Sequence, residues 1–309
     1  MVEKYRCVGC AACASVCPTN ALHMEKDNEG FYYALLNQEK CIDCNLCKKV
    51  CPALQVSKED DREIEFYAMK NRNKCTQINS ASGGVFPEIA KWILSQKGFV
   101  WGAAFDEMFN VKHRCISSEH ELPLLCRSKY VQSDMRNVYK TIKKQLNSGA
   151  KVLFSGTPCQ TTALAKFIGD RLCPNLYLVD IVCHGVPSPD VWKEYLKELC
   201  GQKYKTVEDI ESIYFKYKVD DKTWMHPGFC IKWKDGTEYL NFSNNTWYEK
   251  GFLGNLYVRP SCHKCLFKCL QSVSDMTIGD FWGCKELYPE FFDKNGVSLA
   301  IVKTKKENI

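Results

Sequence analysis

A pattern of four cysteines and a proline, C-x2-C-x2-C-x3-C-P, occurs twice near the start of this 309-residue chain. It runs once through Cys7, Cys10, Cys13, Cys17 and Pro18, and again through Cys41, Cys44, Cys47, Cys51 and Pro52, 34 residues later. Three thiols at this spacing wrap one face of a [4Fe–4S] cubane; the fourth lies too far along the chain for the same cluster and reaches the other. The repeat therefore predicts one cluster on Cys7, Cys10, Cys13 and Cys51 and a second on Cys41, Cys44, Cys47 and Cys17. A pair of zinc sites is the rival, but zinc needs only four ligands, usually as two separated pairs.

The segments between the runs, Ala21 to Met24 and Phe31 to Leu35, flank Asp27-Asn28-Glu29-Gly30 and read as a hairpin. Residues 1–56 are thus expected to form a two-cluster module of the bacterial ferredoxin type. A polar stretch from Ser57 to Glu63 lacks apolar periodicity, and 57–64 reads as a linker.

The chain holds twenty cysteines. Grouped at ligand spacing, with no basic-plus-apolar leader ahead of Cys7, they point to metal binding in a cytoplasmic protein rather than to a disulfide framework. No apolar run reaches membrane-spanning length. The formal charge of +6 counts every thiol as neutral. Each cluster with its thiolates carries about −2, so three would bring the protein near zero, and the dispersed lysines give no support for a nucleic-acid partner.

From residue 65 to 309 the pattern becomes mixed α/β, so the fold class is α+β: a two-cluster ferredoxin-like unit followed by a mixed α/β body, which the family resemblance given below implies to be flavin-binding. Helical spacing covers 85–97, closed by Gly98; Phe99 to Phe105 reads as a strand. Ser133-Asp134 can cap a helix to about Leu146, closed by Gly149. Lys151–Phe154, Cys159–Ile168 and Leu176–Val182 read as a βαβ unit, with a further helix over Asp190–Leu199, and residues 210–242 alternate as a small antiparallel section.

Several local patterns carry chemistry. Ser80-Ala81-Ser82-Gly83-Gly84 leads into a helix and can expose N–H groups to an anion, or simply cap the helix. Arg127-Ser128-Lys129-Tyr130 offers two cations and a ring, or a solvated surface segment. Gly156-Thr157-Pro158-Cys159-Gln160 and Cys183-His184-Gly185 follow consecutive parallel strands, whose ends share the edge where α/β ligands usually bind. With Cys262 and Cys265 of Arg259-Pro260-Ser261-Cys262-His263-Lys264-Cys265, the thiols of Cys159 and Cys183 make a third four-cysteine set; buried structural cysteines are the rival.

Taken with Ser274-Asp275-Met276-Thr277-Ile278-Gly279-Asp280-Phe281-Trp282-Gly283, these segments resemble the beta subunits of coenzyme F420-reducing hydrogenases and F420-linked dehydrogenases, in the version with an N-terminal two-cluster ferredoxin domain. The resemblance covers about residues 64 to 284. It implies FAD beside a third [4Fe–4S] cluster on Cys159, Cys183, Cys262 and Cys265. It places the flavin contacts near Ser82, Gly83, Gly84, Ser128, Lys129, Tyr130, Thr157 and Gln160, with Lys129 as a stabiliser of reduced flavin. Cys269 can replace one cluster ligand. Cys75, Cys115, Cys126, Cys173, Cys200, Cys230 and Cys284 read as core or surface thiols. No G-x-G-x-x-G follows a strand, so a Rossmann-type cofactor site is not expected.

The implied function is an iron–sulfur flavoprotein oxidoreductase. It would exchange a hydride with coenzyme F420 or a similar small organic substrate and pass single electrons to ferredoxin or a partner subunit. The alternatives are a ferredoxin-driven reductase of another organic substrate, and a non-enzymatic electron relay that needs no flavin. His184 is a candidate proton donor, against a packing role beside Cys183.

Overall fold

The computed structural model describes residues 2–54, 63–169, 174–219, 224–242, 245–268 and 272–303. The expected linker falls largely outside these, as do Cys173 and Cys269.

The N-terminal module repeats its backbone as it repeats its sequence. Helix α1 (Ala12–Val16) is followed by strands β1 (Leu22–Lys26) and β2 (Tyr32–Leu36), paired antiparallel as the hairpin pattern predicts, and by helix α2 (Leu46–Lys49). Each cradle turns through two residues in the left-handed region: Gly9 and Ala11 in the first, Asp43 and Asn45 in the second, 34 positions on. Glycine adopts this conformation freely and Asn or Asp tolerates it. The polar spacers of the second run are thereby explained by backbone geometry.

The larger body is built on a seven-stranded sheet. Its first elements are strand β3 (Glu65–Met69), helices α3 (Lys74–Ile78) and α4 (Val85–Ser95), strands β4 (Phe99–Phe105) and β5 (Val111–Ile116), and helix α5 (Val138–Asn147). Strand β6 (Val152–Gly156), helix α6 (Pro158–Ile168), strand β7 (Leu176–Ile181) and helix α7 (Pro189–Gln202) follow. An excursion then forms a three-stranded antiparallel sheet, β8 (Ile210–Tyr217), β9 (Gly228–Trp233) and β10 (Glu238–Phe242), and helices α8 (Trp247–Leu253) and α9 (Pro260–His263). The chain returns as strand β11 (Met276–Asp280), helix α10 (Cys284–Leu287) and strand β12 (Ser298–Val302). The strand order is β3-β12-β11-β7-β6-β4-β5, with β4, β6, β7 and β11 mutually parallel.

Alternation in the central strands gives the sheet two covered faces. Val152, Phe154, Leu176 and Leu178 pack with Tyr139, Ile142 and Leu164 on one side, while Leu153, Tyr177 and Val179 pack with Ile93 and Leu94 on the other. The first of these cores also takes in Cys10, Ala11, Ala12 and Val50, so the cysteine module is seated directly on α5 and α6. The seat is fixed at its far side by the hairpin: Lys26 pairs with Asp190, and the Ser188 hydroxyl donates to the Glu29 carbonyl. Gly30, at φ +82°, lets the turn approach; an added Cβ would stand 2.6 Å from the Asp190 Cβ.

Two boundaries differ from the sequence reading. Helix α5 begins at Val138 after a left-handed Asn137, not at a Ser133-Asp134 cap. Asp134 instead bridges to Lys112, and the Ser133 hydroxyl accepts from Gln160. At the end of α4, Lys97 rather than Gly98 takes the left-handed turn. Gly98 is needed for room, since an added Cβ would meet the Lys151 carbonyl at 2.7 Å.

Candidate functional site

Three thiol sets and a cluster of cations make up the candidate site. Cys7, Cys10, Cys13 and Cys51 line a cavity of about 360 Å³, which Cys47 also reaches. Burial, then the facing thiols, push the Cys10 thiol well above its ordinary value and that of Cys13 up to about 12. Neutral thiols crowded in this way release their protons to a cation that takes their place.

The other N-terminal set is more open. Cys44 is exposed, and Cys17, Cys41 and Cys47 are half-buried. Burial raises the Cys17 thiol, but hydrogen bonds from Thr19, Leu22 and Ala21 outweigh it and bring the net shift downward. The Ala21 N–H donates to the Cys17 sulfur at 3.2 Å. Such bonds favour a thiolate, as a cluster ligand requires.

The third set is assembled from distant segments. The parallel strands β6 and β7 end at the same edge of the sheet and deliver Cys159 and Cys183 there. Thr157 and Gln160 form a capping box around Pro158, fixing the first turn of α6 and with it Cys159. Helix α9 brings Cys262, and the turn after it brings Cys265. All four thiols line a second cavity of about 500 Å³, whose wall includes Tyr5, Arg6 and Val8 of the module. Burial, then repulsion from Cys262 and Cys265, drives Cys159 up to about 12; burial, then Cys159, Cys262 and Cys265, raises Cys183 well above its ordinary value.

Among the described residues, no group of three or more His, Cys, Asp or Glu side chains converges tightly enough for a single metal ion. The thiols ring roomy cavities instead, which suits a cubane better than zinc with its short bonds of about 2.3 Å to sulfur.

Two buried side chains that sequence reasoning missed occupy the seam between the first and third sets. The Tyr139 ring is fully buried, with its hydroxyl set against Cys10. It faces Cys10 and Cys159, which, after burial, hold its proton more tightly. Arg259, also fully buried, donates from Nε to the Cys7 carbonyl at 2.6 Å, from Nη2 to the Tyr32 carbonyl at 2.9 Å and from Nη1 to Gln132 at 3.0 Å. Its signal in the sequence is slight: an arginine ahead of the Cys262 pair.

The expected flavin contacts divide. Thr157 lines the third cavity. Gln160 is buried and spent within the fold, accepting from Thr157 N–H at 2.9 Å and donating to Ser133 at 2.9 Å. Gly83 lies where β3 and β12 come together: its N–H donates to the Ser298 hydroxyl, and an added Cβ would meet the Met69 carbonyl at 2.3 Å. Gly84, at φ +87°, is the N-cap of α4, and the Ser82 hydroxyl donates to the Val297 carbonyl. These three residues shape backbone, which accounts for the glycines without a ligand. The Lys129 ammonium is turned back on its own loop, donating to the carbonyls of Leu124 and Cys126. Burial lowers its pKa to about 8. Ser128 leads into Tyr130, whose ring packs on Phe215 and Phe252 at centroid distances of 5.1 and 5.2 Å.

The cations that gather beside this loop are Arg127, Lys216 and Lys218. The Arg127 guanidinium lies 4.6 Å over the Tyr214 ring, and its Nη1 is buried without an acceptor. Lys216 pairs with Asp280 at the end of β11 and faces Trp282 at 5.4 Å. Lys218 donates to the carbonyls of Gln77, Ser82 and Asn295. Burial, then Arg127 and Lys216, lower its pKa to about 7. Arg127 was legible as part of a cationic tetrapeptide; Lys216 and Lys218 are hidden in and just after the alternation of β8. His184 lines the sulfur cavity and stands edge-on to Phe252 at 5.0 Å, a packing contact.

Residues 149–308 match the family model for the C-terminal part of the coenzyme F420 hydrogenase/dehydrogenase beta subunit, and residues 6–56 match a 4Fe-4S dicluster domain. No curated protein matches the chain. In a solved structure of the F420-reducing [NiFe] hydrogenase complex from Methanosarcina barkeri, a chain 15% identical superposes with a TM-score of 0.54, over 82% of this chain and 80% of that one. At that identity the likeness is one of fold. Among the described residues, no helix is long and apolar enough to cross a membrane.

Proposed function

The chain belongs to the coenzyme F420 hydrogenase/dehydrogenase beta subunit family, and from that premise we propose that it is an FAD-dependent iron–sulfur oxidoreductase with three [4Fe–4S] clusters. It joins a hydride carrier, coenzyme F420 or a similar organic compound, to ferredoxin or a partner subunit. FAD supplies the exchange between hydride and single-electron chemistry, and the clusters carry single electrons.

The observation that carries this reading is the succession of sites. The open set with Cys44 lies at the surface, where a protein partner can approach. The set with Cys10 is buried against the larger body, the set with Cys159 follows across Tyr139, and from His184 beside that set the contacts run through Phe252 and Tyr130 to Lys216 and Asp280 of the cation cluster.

The chain's own groups divide the work. The twelve cysteines hold the clusters, and the capping box keeps Cys159 in place. Arg127, whose Nη1 has no acceptor among the described residues, suits a phosphate of a dinucleotide, and Lys218, its ammonium held by three carbonyls, adds positive field beside it. The Tyr214, Tyr217 and Trp282 rings offer flat faces near those cations. Tyr130 lies near Asp280, and the role of stabilising a reduced, anionic flavin moves from Lys129, which is tied to its own loop, to Lys216 beside Asp280.

The test is to purify the chain without oxygen and to quantify iron, acid-labile sulfide and released flavin. About twelve iron atoms and one FAD per chain support the reading. About eight iron atoms and no flavin leave a two-cluster relay.

A further inference from the structure

Arg259 carries a charge that no carboxylate balances among the described residues. Its three acceptors, the Cys7 and Tyr32 carbonyls and the Gln132 side chain, are all neutral. The Tyr33 and Phe31 rings lie 4.2 and 5.4 Å from it and contribute a weak cation–π attraction. A fully buried guanidinium held only by neutral groups is costly, and proteins tolerate buried charges when a counter-charge is near.

The place it occupies supplies that charge. It lines the cavity of Cys159, Cys183, Cys262 and Cys265, three residues ahead of Cys262. On its other side it presses on Cys7-Val8-Gly9, the first turn of the neighbouring cradle. Gly9 leaves the space for it: an added Cβ would lie 2.6 Å from Nη1. It therefore stands between two thiolate sets that each carry about −2 when loaded.

We propose that Arg259 is a shared counter-cation for the two inner clusters, raising the reduction potential of both while pinning the cysteine module to the larger body. The proposal rests on the three-cluster reading. Each reduction adds one electron of negative charge within the field of the guanidinium, in surroundings too dry to screen it. The outer set, with its exposed Cys44, is held by the far run of the module and is screened by solvent.

The experiment is an EPR-monitored redox titration of the full-length holoprotein and its Arg259→Gln and Arg259→Lys variants, with iron counted in each. In Arg259→Gln we expect the reduction equilibrium of the inner clusters to fall at least tenfold, about 59 mV for one electron, with the outer cluster moving much less. Arg259→Lys, which keeps the charge but not the fork, should recover a large part of the loss. Unmoved inner potentials at full iron content would overturn the proposal. So would an equal shift of all clusters, or a Lys variant no better than Gln. Should Arg259→Gln fail to fold, Gln132→Glu places a carboxylate against Nη1 in the otherwise intact chain. It must lower the same two potentials, and their constancy would count against the idea. About eight iron atoms in the wild-type chain would remove the third cluster and leave Arg259 to be judged on the inner module cluster against the outer one.

Discussion

The cysteine module and the third thiol set lie side by side, yet they are built in opposite ways. In the module, three ligands of each set sit in one short run, Cys7 to Cys13 or Cys41 to Cys47, with the fourth crossing from the other run, and the geometry of each run is written into the local backbone by left-handed turns at Gly9, Ala11, Asp43 and Asn45. The third set draws Cys159, Cys183, Cys262 and Cys265 from three separated segments, and only the completed sheet brings them together. A locally encoded site is damaged chiefly by changes within itself. A site encoded by topology is damaged by any change that loosens the sheet.

The sharpest test of this contrast is Cys159→Ser. It should cost the third cluster outright, reducing iron from about twelve to about eight per chain while leaving both module clusters. Loss of module iron as well would mean that the sets do not load independently.

Next in size is Leu153→Ala. Leu153 is fully buried in β6, the strand that leads to Cys159. Removing its side chain should destabilise the larger body by about 2–5 kcal/mol in denaturant unfolding. In partial denaturant, the third set should lose iron before the module does; the reverse order would break the comparison.

Ala11→Val should act the other way. A β-branched residue in the left-handed region costs about 1–2 kcal/mol, and the loss should appear as faster iron release to chelator from the inner module cluster. Asn45→Gly, which keeps the turn accessible, should leave the outer cluster's release rate close to that of the wild type.

The smallest effect concerns the cationic pocket. Lys218 has a pKa lowered to about 7 by burial and by Arg127 and Lys216. An anion bound there favours the charged lysine, so binding is strongest below pH 7. It weakens as the pH rises through that value, by at most tenfold per unit. The same depressed pKa means that the unfolded chain binds the extra proton between pH 7 and about 10.4, so this group's contribution to stability rises with pH over that window. FAD dissociation constants at pH 6 and pH 8.5 check the first statement; equal values would remove Lys218 from the anion site.

What could be read from the sequence follows the same division. The eight module cysteines and the hairpin were legible because their pattern is short and repeated, and the comparison with known families bears out an iron–sulfur dicluster there. The β4 strand and the βαβ unit around Cys159 were legible from alternation and punctuation. Helix α5 was given too early a start, because the Ser133 hydroxyl and Asp134 serve tertiary partners, Gln160 and Lys112, that no local pattern reveals. The roles of Gln160, Gly83 and Gly84 in holding backbone were not legible, since they depend on Thr157, Ser298 and Asn71, partners set by the fold. Lys216, Lys218, Tyr139 and Arg259 gave little signal, since a buried polar residue shows its importance only once its neighbours are known.

Tyr5, Arg6 and Val8 form part of the wall of the third cavity, while Cys262 and Cys265 lie about 250 residues further along the chain. A ribosome therefore makes that wall long before it makes the floor. All eight cysteines of the module are present once residue 51 emerges, whereas the Cys159 set is complete only once residue 265 does. Translation thus imposes a calendar on ligand assembly: the repeated thiols can be gathered early, and the set at the sheet edge only after the later segments have folded against it.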